Sequence, residues 1–126
     1  PVITPEDLNG RPMATLNERH ATYRDTKDAF HQAGAEFRPR FQTQYFIPLL
    51  NFVELGEACA VVDVLSAESY RQYRGVQACG IAFRPFEPKI EVGFNVLTPA
   101  HRPPSHLASA FTEMWIEEVQ RINAAF

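Results

Sequence analysis

Residues 38–63, RPRFQTQYFIPLLNFVELGEACAVVD, constrain the fold more than any other stretch of the chain. Arg40, Phe41, Gln42, Thr43 and Gln44 follow Pro39 and carry extended-chain character. Pro48 stands where the first turn of a helix tolerates a residue without an N–H. Leu49, Leu50, Phe52, Val53 and Leu55 are apolar on nearly every side of that helix, which predicts a buried one. Gly56 suits the position just past its end. Ala58, Cys59, Ala60, Val61 and Val62 form an unbroken apolar run, the pattern of a strand covered on both faces. A strand, a helix and a strand within this length predict a right-handed crossover between parallel strands. In open α/β sheets a ligand sits beyond the carboxyl ends of such strands, here Thr43, Gln44, Tyr45 and Asp63. With Pro48 as the first helical residue, Ile47 takes the N-cap and leaves the amide donors uncapped, an arrangement that binds anions. Capping by Gln44 or by water is the plainer alternative.

At 126 residues the chain is one domain or part of one. A hydrophobic fraction of 45% with 10 Phe suffices for a packed core and excludes disorder. The formal net charge of −3 and the lack of a basic stripe argue against direct nucleic-acid binding. Arg38 with Arg40, and Arg71 with Arg74, are pairs too sparse to follow a phosphate backbone. No apolar run approaches membrane-spanning length, and no signal peptide is visible. Cys59 within the apolar run and Cys79 beside Gly80 make no disulfide framework, so a reducing cytoplasm is expected. The start at Pro1, without an initiator Met, is expected of a fragment or a trimmed product.

Along the chain, Thr4, Pro5, Glu6 and Asp7 read as a short helix opening with Thr4 as its cap, closed by Leu8 and Gly10. Pro12 to Leu16 reads as a strand, residues 17–21 as a polar turn, and residues 22–33 as a helix stopped by Gly34. Ser66 is expected to cap a helix over residues 66–73 that Gly75 ends. Residues 81–86 and 91–97 alternate in polarity as strands do, with Val92, Phe94 and Val96 on one face and Pro85 placing the first run at an edge. Three prolines mark residues 98–104 as a loop. Ser105 then caps the longest helix, whose seam is Ala108, Phe111, Trp115, Val119, Ile122 and Phe126. The fold class is α/β with parallel strands.

No constellation calls for an enzyme, a metal or a cofactor. The four histidines are scattered, no cysteine stands beside a base, and there is no glycine-rich phosphate loop. The candidate site lies at two turns that follow strands. The first carries Asn17, Arg19, His20, Thr22 and Arg24; Thr22, with Asp25 three residues on, reads as a helix cap. The second carries Thr43, Gln44, Tyr45 and Phe46. Asp63 reads either as a cap for the next helix or as a partner for a cationic group of a ligand.

Taken together, these segments resemble the effector-binding region of LysR-type transcriptional regulators. Residues 3–12 (ITPEDLNGRP) resemble the family's entry to its second lobe, and residues 29–34 (AFHQAG) its helix end. Residues 50–56 (LNFVELG) followed by 60–63 (AVVD) resemble its central segment, with Glu57 and Ala58 departing from the usual small, glycine-containing step. Arg84, Pro85 and Phe86, then residues 102–105 (RPPS) with Ala110 and Phe111, resemble the return to the first lobe and its last helix.

The resemblance implies a periplasmic-binding-protein-like lobe over residues 1–88. Residues 89–126 would be a crossover strand and long C-terminal helix belonging to the other lobe. It also implies that the rest of the first lobe and the winged helix-turn-helix are absent from this chain, so DNA is reached only through that missing domain. The expected function is sensing of a small-molecule effector in an inter-lobe cleft, not catalysis and not membrane attachment. Arg19, His20, Thr22, Arg24 and the amides after Tyr45 favour a carboxylate or an amino-acid derivative, and regulators of opine and amino-acid catabolism look nearest. A lobe of a solute-binding protein for transport is the rival reading. Loss of partners for the C-terminal helix predicts either self-association or refolding of its seam against the second lobe.

Overall fold

Strand β1, Pro12–Leu16, is the centre of the larger part of the molecule and forms over the residues that the sequence predicts. Strand β2, Arg38–Thr43, pairs with it in parallel. On its other edge Cys59 makes a parallel bridge: the Ala14 amide donates to the Cys59 carbonyl at 2.8 Å and the Cys59 amide to the Pro12 carbonyl at 2.9 Å. The computed structural model describes residues 1–75 and 80–126, which divide into compact units over residues 1–91 and 92–126. Cys79 lies outside the described residues.

Helix α1, Ala21–Gln32, connects β1 to β2, and helix α2, Phe46–Glu54, leads from β2 to the Cys59 bridge. Helix α3, Val64–Arg74, follows. The alternation of β1 divides the core between its two faces. Ala14 and Leu16 pack with Leu49 and Leu50 of α2, Tyr70 of α3 and Ala58, and Phe41 of β2 stacks on Phe52 at 4.2 Å between ring centres. Met13 is fully buried on the other side, where Phe37 meets Tyr23 and Phe30 of α1 at 5.5 and 5.2 Å. This unit is thus α/β, with a parallel pair of strands and the helices α1, α2 and α3 packed around it.

A register shift lies between Met13 and Ala14: Met13 pairs with Pro39, but Ala14 pairs with Phe41. Arg40 is the extra residue. Because side chains alternate along a strand, one added residue exchanges the faces of everything after it. Here it leaves Arg40 exposed and lets Phe41 pack on α2.

Glycines end the helices where the sequence predicts. Gly34 and Gly56 have φ of 68° and 76°, a left-handed conformation open to glycine. Each follows a helix whose last carbonyls are closed by a paired turn. The Gly56 amide donates to Val53 and the Glu57 amide to Phe52, as the Gly34 and Ala35 amides donate to His31 and Phe30.

Several expected elements differ. Residues 4–10 form consecutive turns with bonds from residue i+3 to residue i, and it is the Asp7 carboxylate that accepts from the Thr4 amide and hydroxyl, rather than Thr4 capping a helix. Among the described residues, 58–62 make only the Cys59 bridge instead of a full strand, and Cys59 is half-buried and free. Residues 81–86 likewise make a single parallel bridge, Phe86 with Ile3. An apolar run becomes a strand only where a neighbouring backbone is in register for several residues, and a bridge supplies one pair.

In the second unit, residues 92–97 are in no regular element, and Val92, Phe94, Val96 and Leu97 are exposed. Helix α4, His106–Ala125, begins at Ser105, whose hydroxyl accepts from the Ala108 amide as predicted. Its covered positions are Ser109, Thr112, Trp115, Val119 and Ile122. Ala108, Phe111 and Phe126 of the predicted seam are exposed, Phe111 by 66%. Phe94 meets Trp115 edge-on at 6.4 Å.

Candidate functional site

The parallel pairing places the ends of β1 and β2 side by side, Leu16 opposite Thr43. Segment 59–63 runs in the same direction on the other edge of β1. All three chain segments therefore leave the sheet at one end and enter helices there. The N-caps are His20 for α1, Tyr45 for α2 and Asp63 for α3. A helix N-terminus presents backbone N–H groups with no partner inside the helix and carries the positive end of the helix dipole.

The three caps are satisfied to different degrees. Asp63 accepts from the Ser66 amide at 2.9 Å and the Ser66 hydroxyl at 2.7 Å, so its carboxylate serves its own helix. Asp63, not Ser66, is the cap. At α1 the cap is His20, not Thr22: Nδ1 of His20 accepts from the Thr22 amide at 3.4 Å, a long contact. Thr22 is buried inside the first turn, and its carbonyl accepts from the Thr26 hydroxyl at 2.6 Å. At α2 no side chain among the described residues caps the helix. The N-cap is Tyr45 and not Ile47, because the helix begins two residues before Pro48. Pro48 sits at the third helical position, where its missing N–H removes one of the donors that would need a partner. The amides of Phe46 and Ile47 remain directed out of the helix start.

These two starts are neighbours. The His20 ring meets the Phe46 ring edge-on, 6.3 Å between centres. The Thr43 hydroxyl donates to the Tyr45 carbonyl at 2.9 Å and fixes the turn between strand and helix. Asn17 Oδ1 accepts from the Arg19 amide at 3.0 Å and shapes the opposite turn. Tyr45, Gln44, Arg19 and Arg24 are exposed around this end, Tyr45 by 70%. The structure thus gathers Asn17, His20, Thr43, Gln44, Tyr45 and Phe46 at one end of the sheet. Thr22 lies in the interior, and Asp63 is engaged as a cap. No group of three or more His, Cys, Asp or Glu side chains among the described residues is disposed to hold a metal ion.

Behind the site, α2 is anchored to α3. The buried Tyr70 hydroxyl donates to Glu54 at 2.7 Å and lies 3.0 Å from Asn51 Oδ1, and Arg74 pairs with Glu54 at 2.7 Å. Burial, and then the neighbouring Glu54 carboxylate, push the Tyr70 phenol up to about 12. The Tyr70 hydrogen bond, and then Arg74, hold Glu54 below the usual carboxylate range. The sequence carries no sign of this cluster, since nothing in a helical Tyr at position 70 marks it as a bridge to Glu54.

A family model for the LysR substrate binding domain matches residues 1–120. The chain belongs to that family. A search of curated proteins finds no matching sequence. The LysR substrate binding domain is periplasmic-binding-protein-like and is the effector-binding region of a LysR-type regulator, a regulatory ligand-binding module. No helix among the described residues is long and apolar enough to cross a membrane.

Proposed function

We propose that this chain senses a small carboxylate, or an amino-acid derivative carrying one, for a cytoplasmic transcriptional regulator. The observation that carries the reading is the pair of adjoining helix starts, α1 and α2, one with a weak cap and one with none. An anion placed there gains two or more backbone donors and two helix dipoles, with Arg19 and Arg24 exposed nearby. The site comprises Asn17, His20, Arg24, Thr43, Gln44, Tyr45 and Phe46. Thr22, inside the first turn of α1, and Asp63, engaged as the cap of α3, complete the helix starts at this end of the sheet.

In this reading residues 1–88 form the second lobe of the sensor and residues 89–126 return to the first, so that the effector is held in a cleft between lobes. Binding favours a closed arrangement and changes how the regulator's subunits associate, a shift between pre-existing states. DNA is contacted through a separate winged helix-turn-helix. An effector from opine or amino-acid catabolism fits this chemistry.

Calorimetric titration of the intact regulator with small carboxylates and their neutral amides tests the proposal. Carboxylates are expected to bind and the amides to fail. Arg24→Ala is expected to weaken the carboxylate about tenfold or more, the scale of one charge-assisted hydrogen bond. Unchanged affinity in that variant overturns the assignment.

A further inference from the structure

On the α1 face of β1 lies a small recess of about 10 Å³, lined by residues that include Met13, Thr15, Thr22, Tyr23, Thr26 and Val61. Thr15 is 7% exposed, and its hydroxyl is buried with no hydrogen-bond partner among the described residues. Buried hydroxyls are almost always bonded, because withdrawing one from water without replacement is costly. Thr15 is also a polar residue in a strand otherwise made of Pro12, Met13, Ala14 and Leu16. Valine has the same shape and would serve a dry site better.

We propose that this recess binds a single water molecule, held by the Thr15 hydroxyl together with polar groups of Thr22 and Thr26. The volume is about the least that holds one water. A water ordered there needs two or more polar partners, and three of the lining residues are buried threonines. Thr26 already donates its proton to the Thr22 carbonyl, so its oxygen is left to accept a hydrogen from the water. Thr15 can donate to the water or accept from it. The water joins the end of β1 to the first two turns of α1, whose cap is His20. The sheet and this helix are thereby linked by an exchangeable contact instead of a fixed apolar one. The inference stands on the recess and the hydroxyl, and does not depend on the effector reading.

A crystal structure of the chain at a resolution that shows ordered waters is the direct test. Density within about 3.2 Å of Thr15 Oγ1 is expected. A dry recess, or a Thr15 hydroxyl turned onto a backbone carbonyl, overturns the proposal. Thr15→Val supplies the energetic test. If the water is present, the variant strands the water's other partners, and the ratio of folded to unfolded protein falls about tenfold in urea titration. If the hydroxyl is simply unsatisfied, valine leaves stability unchanged or raises it, and the proposal fails. Thr15→Ser is expected to retain the density. Should the valine variant not fold, the wild-type density decides.

Discussion

Tyr70 shows how a single side chain holds two elements together. Its ring fills the core with Leu49 and Leu50, while its hydroxyl reaches Asn51 and Glu54 of α2. Tyr70→Phe keeps the ring and removes both polar contacts, so a loss of about 1–2 kcal/mol is expected in urea unfolding at neutral pH. The same bond gives a pH signature. The phenol's folded value is raised to about 12, above its unfolded value of about 10. Its contribution is therefore complete below about pH 10 and is lost as pH climbs towards 12. Glu54 behaves oppositely: its folded value is lowered, so its contribution is present above the ordinary carboxylate value and is lost on acidification. Stability measured across the alkaline range should fall for the parent chain and lose this step in Tyr70→Phe; a parallel fall in both sinks the assignment. At this scale the sequence was partly legible. Ser105 and Gly56 were read correctly because each residue type has one common role at a helix end. Asp63 holds as a cap, one of its two readings, but it competes with Ser66, and His20 is hidden by Thr22; only the backbone path decides between good caps two or three residues apart.

The elements themselves are legible in the sequence where stop signals are local and obscure where a partner strand decides. Gly34, Gly56 and Gly75 all have positive φ just past a helix, and each was visible in the sequence as a stop. Gly56 has nothing among the described residues within 4 Å of where a Cβ would stand, so the expected cost of Gly56→Ala is that of the backbone conformation. That substitution is expected to destabilise the chain by about 1 kcal/mol, read as a lower urea midpoint with an unchanged slope. An unchanged midpoint would show that the left-handed turn is not held in solution. By contrast, residues 58–62, 81–86 and 91–97 have strand-like composition, yet the first two runs give one bridge each and the third gives none. Polarity patterns report which side chains prefer burial. They do not report whether another backbone lies within reach.

For the molecule as a whole, the α/β architecture, the family and the two turns of the candidate site are all present in the order of short segments, while the adjacency of those turns follows only from β1 and β2 ending side by side. The second unit leaves Leu107, Phe111 and Met114 on α4 exposed by 82%, 66% and 67%. Three large apolar residues at helical spacing form a face that water does not favour. Self-association of the isolated chain is the expected outcome, with Phe111→Asp shifting sedimentation towards the monomer. A parent chain that sediments as a monomer at every concentration, with the fluorescence of a fully hydrated Trp115, would refute it.

The position of β1 between two later partners bears on how the chain is made. Met13 and Ala14 leave the ribosome well before Arg38–Thr43, and before Cys59, whose carbonyl receives the Ala14 amide. During that interval the nascent polypeptide carries a short apolar strand with both edges open, the kind of segment that chaperones retain and that pairs with neighbours. Elongation past β2 closes one edge and elongation past Cys59 closes the other. A translational pause just before Cys59 would therefore lengthen the vulnerable interval more than a pause anywhere in α4.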